Sequence, residues 1–99
     1  MILELETRTR RQMVDITARV AAAAAAAGEG LCHIFVPHTT AAVVINESAD
    51  PDVARDLIQA YAAMVPALRF AHAEGNSDAH LLATLLGSSV TVPVADGRL

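Results

Sequence analysis

Apolar and polar residues alternate loosely in Ile2-Leu3-Glu4-Leu5-Glu6-Thr7, the pattern of a strand with one wet face. Asp15 or Thr17 can cap a helix running to about Ala27. Alanine is the best helix former, and Gly28 stands where a residue of left-handed conformation belongs. Leu31 to Val36 reads as a strand that Pro37 ends, and Val43-Val44-Ile45, β-branched and apolar, reads as a second. Pro37-His38-Thr39-Thr40-Ala41-Ala42 lies between them as a polar corner or an irregular strand. Asp50-Pro51-Asp52 is a strong helix start, with a capping carboxylate, proline at the first helical position and an acid near the positive end of the dipole. Val53, Leu57, Tyr61 and Met64 follow at helical spacing until Pro66 closes the segment. A short helix is expected from near Ser77 to just before Gly87, and Ser88 to Val94 reads as a last strand.

The predicted order is strand, helix, strand, strand, helix, short helix, strand. Helices and strands do not alternate strictly, and the corners are short and polar. The fold class is therefore α+β, mostly antiparallel, with two main helices and one short helix. Residues 1–99 suit one domain, without repeats or an interdomain linker. Asp96-Gly97 is a hairpin-turn signal, yet only Arg98 and Leu99 follow it, too few for a returning strand.

Composition narrows the picture. Apolar residues make up 54% of the chain and only three residues are aromatic, so the core must be built from aliphatic and alanine side chains. The formal charge is −4 and every basic residue is arginine. A basic, aromatic-studded surface is missing, which argues against nucleic acid as a partner. Cys32 stands alone, so an internal disulfide and a cysteine-rich zinc site are both excluded; a buried thiol in a reducing cytoplasm is the expectation. Ala21 to Ala27 lacks the strongly apolar centre of an export signal, and no stretch is apolar enough to span a membrane.

The densest polar cluster is His72-x-Glu74-Gly75-Asn76-x-Asp78-x-His80. Imidazole and carboxylate suit zinc or another divalent cation, and imidazole also serves as an acid or base near neutral pH. The alternative is a polar loop in which Ser77 and Asp78 cap a helix, but four polar types converging beside a glycine favour the functional reading. His38-Thr39-Thr40 sits where a strand gives way to a corner, so His38 is either a further imidazole for that site or a hydrogen-bonded loop residue. His33, five residues earlier, is expected on the opposite strand face, with a structural or surface role. Asn46-Glu47 is a third candidate, with Glu47 binding a metal or orienting a histidine, while Asp50 already has its capping role. Nucleotide-binding glycine loops and a serine-nucleophile elbow are absent from the chain.

Four motifs occur in order: Pro37-His38-Thr39-Thr40-Ala41, Asn46 to Val53, His72 to His80, and Leu86-Gly87-Ser88-Ser89. Together they resemble the YjbQ-like family, collinear from about Asp15 to Leu99. The family is described as a secondary thiamine-phosphate synthase. The resemblance implies an α+β homotrimer with polar sites near subunit boundaries, a phosphorylated small-molecule substrate and a divalent metal (zinc, magnesium or manganese). Carried over by position, it implies His38, His72 and His80 as metal ligands. Glu74, Asp78 and Glu47 become the acid–base candidates, and Thr39, Thr40, Asn46, Asn76 and Ser77 the substrate contacts. The implied reaction joins a pyrimidine-methyl diphosphate to a thiazole phosphate and releases pyrophosphate; a non-catalytic metal- or ligand-binding trimer is the alternative. Family members typically continue past Gly97-Arg98-Leu99 with two more strands, the first carrying a Gly-Thr-Trp-Gln stretch. Strand Ser88 to Val94 is thus expected to keep an open edge.

Overall fold

The computed structural model describes residues 1–99, which fall into two compact units. One comprises Met1–His33 with Thr91–Leu99, the other Ile34–Val90. The elements in chain order are α1 (Thr17–Ala24), a 3₁₀ turn (Ala25–Ala27), β1 (Gly30–Phe35), α2 (Pro51–Met64), α3 (Ser77–Leu86) and β2 (Ser89–Val94). β1 and β2 form a two-stranded antiparallel sheet, giving the α+β class expected from the chain.

In the first unit, the Asp15 carboxylate accepts the Thr17 amide at 2.9 Å and so starts α1. Alanine carries the chain onward to a turn at Gly28, whose φ is 72°. Val20 and Ala24 of α1 and Val94 of β2 are the buried apolar residues here. Across the sheet His33 Nδ1 and Thr91 Oγ1 form a 2.8 Å hydrogen bond on the exposed face.

The Asp96-Gly97 turn forms despite its short sequel. Both residues have positive φ, 53° and 70°, as the tight hairpin turn favoured by Asp-Gly requires. Ala95 and Arg98 exchange two backbone bonds of 2.9 and 3.0 Å, so the returning strand is one residue long. The turn is then docked: the Gly97 amide donates to the Gly28 carbonyl at 2.8 Å and the Asp96 amide to Glu29 Oε1 at 3.0 Å.

Two expected strands are not formed. Ile2 to Thr7 finds no ladder partner; Ile2 is 88% exposed, and the Glu4 carbonyl is satisfied by the Arg19 guanidinium at 2.7 Å. Val43 to Ile45 makes one strand-like bond, from the Val43 amide to the Gly87 carbonyl at 3.2 Å, and goes no further. β-propensity describes how a side chain fits a pleated, half-buried surface, and without a neighbouring strand it creates none.

The second unit is held by α2 and α3. Asp50 caps α2 through the Asp52 amide at 2.9 Å, with Pro51 in the first turn, and the helix stops before Pro66. Its apolar face is only half covered: Val53, Leu57 and Tyr61 are intermediate in exposure, and no residue of α2 is fully buried. Leu82 of α3 is the buried aliphatic side chain of this unit. Cys32, expected to be buried, is half-buried, between Leu31 and the similarly half-buried Ile34. No helix is long and apolar enough to cross a membrane.

Candidate functional site

α3 carries its chemistry on one face. His80, Ala83, Thr84 and the residue just beyond the helix, Gly87, stand at i, i+3, i+4 and i+7, which stacks them along one side. With Ser88 they form one wall of an open cleft of about 410 Å³. His38, Thr39 and Ala41, on the loop after β1, form the other wall. Ala41, Ala83 and Gly87 line the cleft with small residues. The Thr84 hydroxyl donates to the His80 carbonyl at 2.8 Å and is thereby held at the cleft's edge.

The walls share a backbone hinge point. The Val36 amide donates to the Ser88 carbonyl at 2.8 Å, and the Val43 amide to the Gly87 carbonyl at 3.2 Å. Two adjacent carbonyls therefore hold both ends of the segment that bears His38 and Thr39.

His72 reaches the same neighbourhood through a turn. The Gly75 amide donates to the His72 carbonyl at 3.2 Å, and Gly75 takes φ 71°, which favours glycine. α3 begins two residues later, and its first turn brings His80 against His72, with ring centroids 5.7 Å apart and planes at 77°. Glu74 Oε2 lies 3.9 Å from His72 Nε2, an ion-pair distance only when the ring is protonated and too long for a hydrogen bond. Both groups are well exposed, so the pair contributes little to stability.

The other expected residues are distributed unevenly. Asp78 is buried, at 9% exposure. Asn76 starts α3 with its carbonyl, which accepts from the Ala79 and His80 amides at 3.1 and 3.2 Å. The Asn76 side-chain Oδ1 is buried without a hydrogen-bond partner, and Ser77 beside it is half-buried. Asn76 holds the N-cap position of α3, and its side chain makes no capping bond; Asp78 lies in the first turn. Asn46 turns back on its own chain, its Oδ1 accepting the Glu47 amide at 2.7 Å. Asn46, Glu47 and Thr40 are exposed and do not line the cleft. Thr84 and Ser88 do line it and were not among the expected site residues. For Thr84 the signal was available, since counting helical turns from His80 reaches it directly.

Can these donors hold a cation? Two imidazoles on one tetrahedral zinc, with Zn–N near 2.0 Å, place their ring centres about 5 Å apart. The His72–His80 pair at 5.7 Å is close to that spacing. Yet no three histidine, cysteine, aspartate or glutamate side chains gather into one metal-holding group. His38 shares the cleft with His80 without forming a three-donor group with His72. The cleft wall also contains no arginine, so charge on a ligand would have to be met by imidazole, hydroxyl and backbone groups.

The family model described as UPF0047 protein, YjbQ-like, matches residues 1–99. A UPF0047 protein of Methanocaldococcus jannaschii is 41% identical over 98 residues, covering 96% of this chain and 71% of that one. The UPF0047 protein YugU of Bacillus subtilis is 40% identical over 101 residues, covering 98% and 76%. Among solved structures, an uncharacterized conserved protein of the YjbQ/UPF0047 family from Clostridium acetobutylicum aligns with a TM-score of 0.90 at 41% identity, over 96% of this chain and 76% of its own. A conserved hypothetical protein from Thermus thermophilus aligns with a TM-score of 0.82 at 42% identity, over 89% and 71%.

Proposed function

The chain belongs to the YjbQ-like UPF0047 family, and we propose that its cleft serves a metal-dependent transferase reaction of the thiamine-phosphate synthase type. In that reaction the thiazole nitrogen of a thiazole phosphate bonds to the methylene carbon of a pyrimidine-methyl diphosphate. The carbon–oxygen bond to the diphosphate breaks, and pyrophosphate leaves with the electron pair. The observation that carries the reading is the His72–His80 pair, edge-on at 5.7 Å beside an open cleft that also holds His38.

His72 and His80 would hold a divalent cation, which supplies charge neutralisation for the diphosphate leaving group. Two protein ligands leave open positions, the arrangement expected of a metal that binds through substrate phosphate oxygens as well. His38, Thr39 and Ser88 line the cleft and donate to phosphate oxygens from it. Glu74, with Oε2 3.9 Å from His72 Nε2, is the carboxylate beside the pair and takes no assigned step. Asp78, buried at the start of α3, and Glu47, exposed on its loop, take no assigned step.

We also propose self-association as a homotrimer. Large apolar side chains are exposed in each unit, Leu31 at 77% in the first and Ile45 and Leu68 at 69% and 64% in the second, and supply area for contact between copies. Size-exclusion chromatography with light scattering tests this: three times the chain mass is expected, and a monomer at all concentrations refutes it.

The test of the reaction is pyrophosphate release from the two substrates with zinc, magnesium or manganese added in turn. Turnover that vanishes in both His72→Ala and His80→Ala is expected. Turnover surviving both changes refutes the reading. The cleft's lack of an arginine favours a second reading, a metal- or ligand-binding trimer without turnover. Stoichiometric metal with no pyrophosphate release would select it.

A further inference from the structure

We infer that Gly87 is a positioning residue for the cleft: its backbone conformation sets the base of the Pro37–Ala42 loop and so places His38 relative to His80. Gly87 has φ 97° and ψ 160°, an extended conformation of positive φ that is essentially reserved for glycine. Its amide still belongs to α3, donating to the Ala83 carbonyl at 2.9 Å. Its carbonyl already belongs to the loop, accepting from Val43. The next carbonyl, at Ser88, accepts from Val36. Rotation about this one residue therefore turns two acceptors at once, and those acceptors hold the two ends of the loop. His80 sits two helical turns earlier on the same face and stays where it is. The loop bearing His38 moves relative to His80.

Space is not the reason for glycine here. A Cβ added at Gly87 meets nothing within 4 Å. Alanine would meet no neighbouring protein atom, so the strain it brings lies in the backbone. D-alanine, the mirror case, accepts positive φ as readily as an L residue accepts the corresponding negative value. It takes this conformation without the strain, its methyl group standing in the place of the other Cα hydrogen.

The experiment compares three full-length chains: the natural one, Gly87→Ala, and a synthetic chain with D-alanine at position 87, ligated at Cys32. The first measurement is amide hydrogen exchange, which depends on no view of function. In Gly87→Ala the Val43 and Val36 amides are expected to exchange about tenfold faster or more, while the amides of α3 around Leu82 keep their protection. D-Alanine is expected to restore the protection. Unchanged exchange at Val43, loss of protection throughout α3, or no restoration by D-alanine would each overturn the inference.

The second measurement rests on the proposed ligand reading, and uses zinc and then inorganic pyrophosphate as probes. Zinc uptake, which depends on His72 and His80, is expected to be nearly the same in all three chains. Pyrophosphate binding in the presence of zinc is expected to weaken about tenfold to a hundredfold in Gly87→Ala, the usual cost of a misplaced contact, and to recover with D-alanine. If the natural chain binds neither probe, the functional reading fails and hydrogen exchange still decides the role of Gly87. If it binds both and Gly87→Ala binds pyrophosphate equally well, the positioning role fails alone.

Discussion

The two units use their histidines to opposite ends. In the first, polar groups satisfy one another: His33 with Thr91, Glu29 with the Asp96 amide, and the Arg19 guanidinium with the Glu4 carbonyl. In the second, His38, His80, Thr39 and Ser88 line an open cleft. A histidine already bonded across a sheet is part of the scaffold. Histidines gathered at a cleft, with hydroxyls around them and space between the walls, are available to something that is not the chain itself. The difference separates His33 from the other three histidines without reference to any relative.

The contrast predicts its own largest effect. Replacing His80 with alanine removes half of the ring pair and a cleft wall, and zinc affinity is expected to fall about a hundredfold. His33→Ala removes a ring bonded to Thr91, and zinc affinity is expected to stay within about twofold, the scatter ordinary for a remote surface change. Isothermal titration of both variants checks this. Equal losses in the two would erase the distinction between the units.

Next in size comes a pair of glycines. At Gly97 a Cβ would stand 2.8 Å from the Ala25 carbonyl oxygen, and φ is 70°. Overlap with backbone adds to left-handed strain, so Gly97→Ala is expected to cost about 2–3 kcal/mol. For a domain this small that lowers the melting midpoint by roughly 10 °C or more. Gly87→Ala meets no atom and is expected to cost about 1–2 kcal/mol, from conformation alone. Denaturant melts of the two variants give the order. A larger loss at Gly87 would mean that the cleft hinge holds the fold more strongly than the docked turn does.

Asp50→Ala is smaller again. The carboxylate accepts the Asp52 amide at 2.9 Å, and losing such a cap costs about 1 kcal/mol. Asp50 belongs to the second unit but not to its cleft. A drop in melting temperature with unchanged zinc affinity is expected. A parallel loss of affinity would show that the start of α2 also shapes the site.

Local signals carried much of this structure. Asp50-Pro51-Asp52 and Pro66 bracket α2 because a cap, a fixed proline φ and a missing amide act within a few residues. Ser77 to Leu86 was bounded in the same way by the polar run and Gly87. Pairing was not legible, because a ladder needs a partner elsewhere in the chain. Ile2 to Thr7 and Val43 to Ile45 have the strand pattern and lack that partner. The site shows the same division. His72 and His80 were found by density along the sequence, and His38 by its place at a strand end. That His38 shares a cleft with His80, while failing to complete a three-donor set with His72, depends on two backbone bonds to Gly87 and Ser88. Thr84 lay within reach of helical counting. Ser88 did not, since it lines the cleft only because the chain turns at Gly87.

The smallest prediction concerns the bond that makes His33 scaffold. Thr91→Val keeps the β-branched shape and removes the hydroxyl that meets His33 Nδ1 at 2.8 Å. Valine suits a strand at least as well as threonine, so packing and propensity change little. His33 is exposed, so water can replace the lost partner, and only the net worth of one surface hydrogen bond is at stake, about 0.5 kcal/mol. The expected result is a melting shift of a few degrees at most, with zinc affinity unchanged. Freed from Thr91, His33 still stands outside any group of three metal-holding side chains. A gain of one zinc equivalent in Thr91→Val would show that hydrogen bonding alone had kept His33 out of metal chemistry, and the contrast between the units would then rest on one hydroxyl.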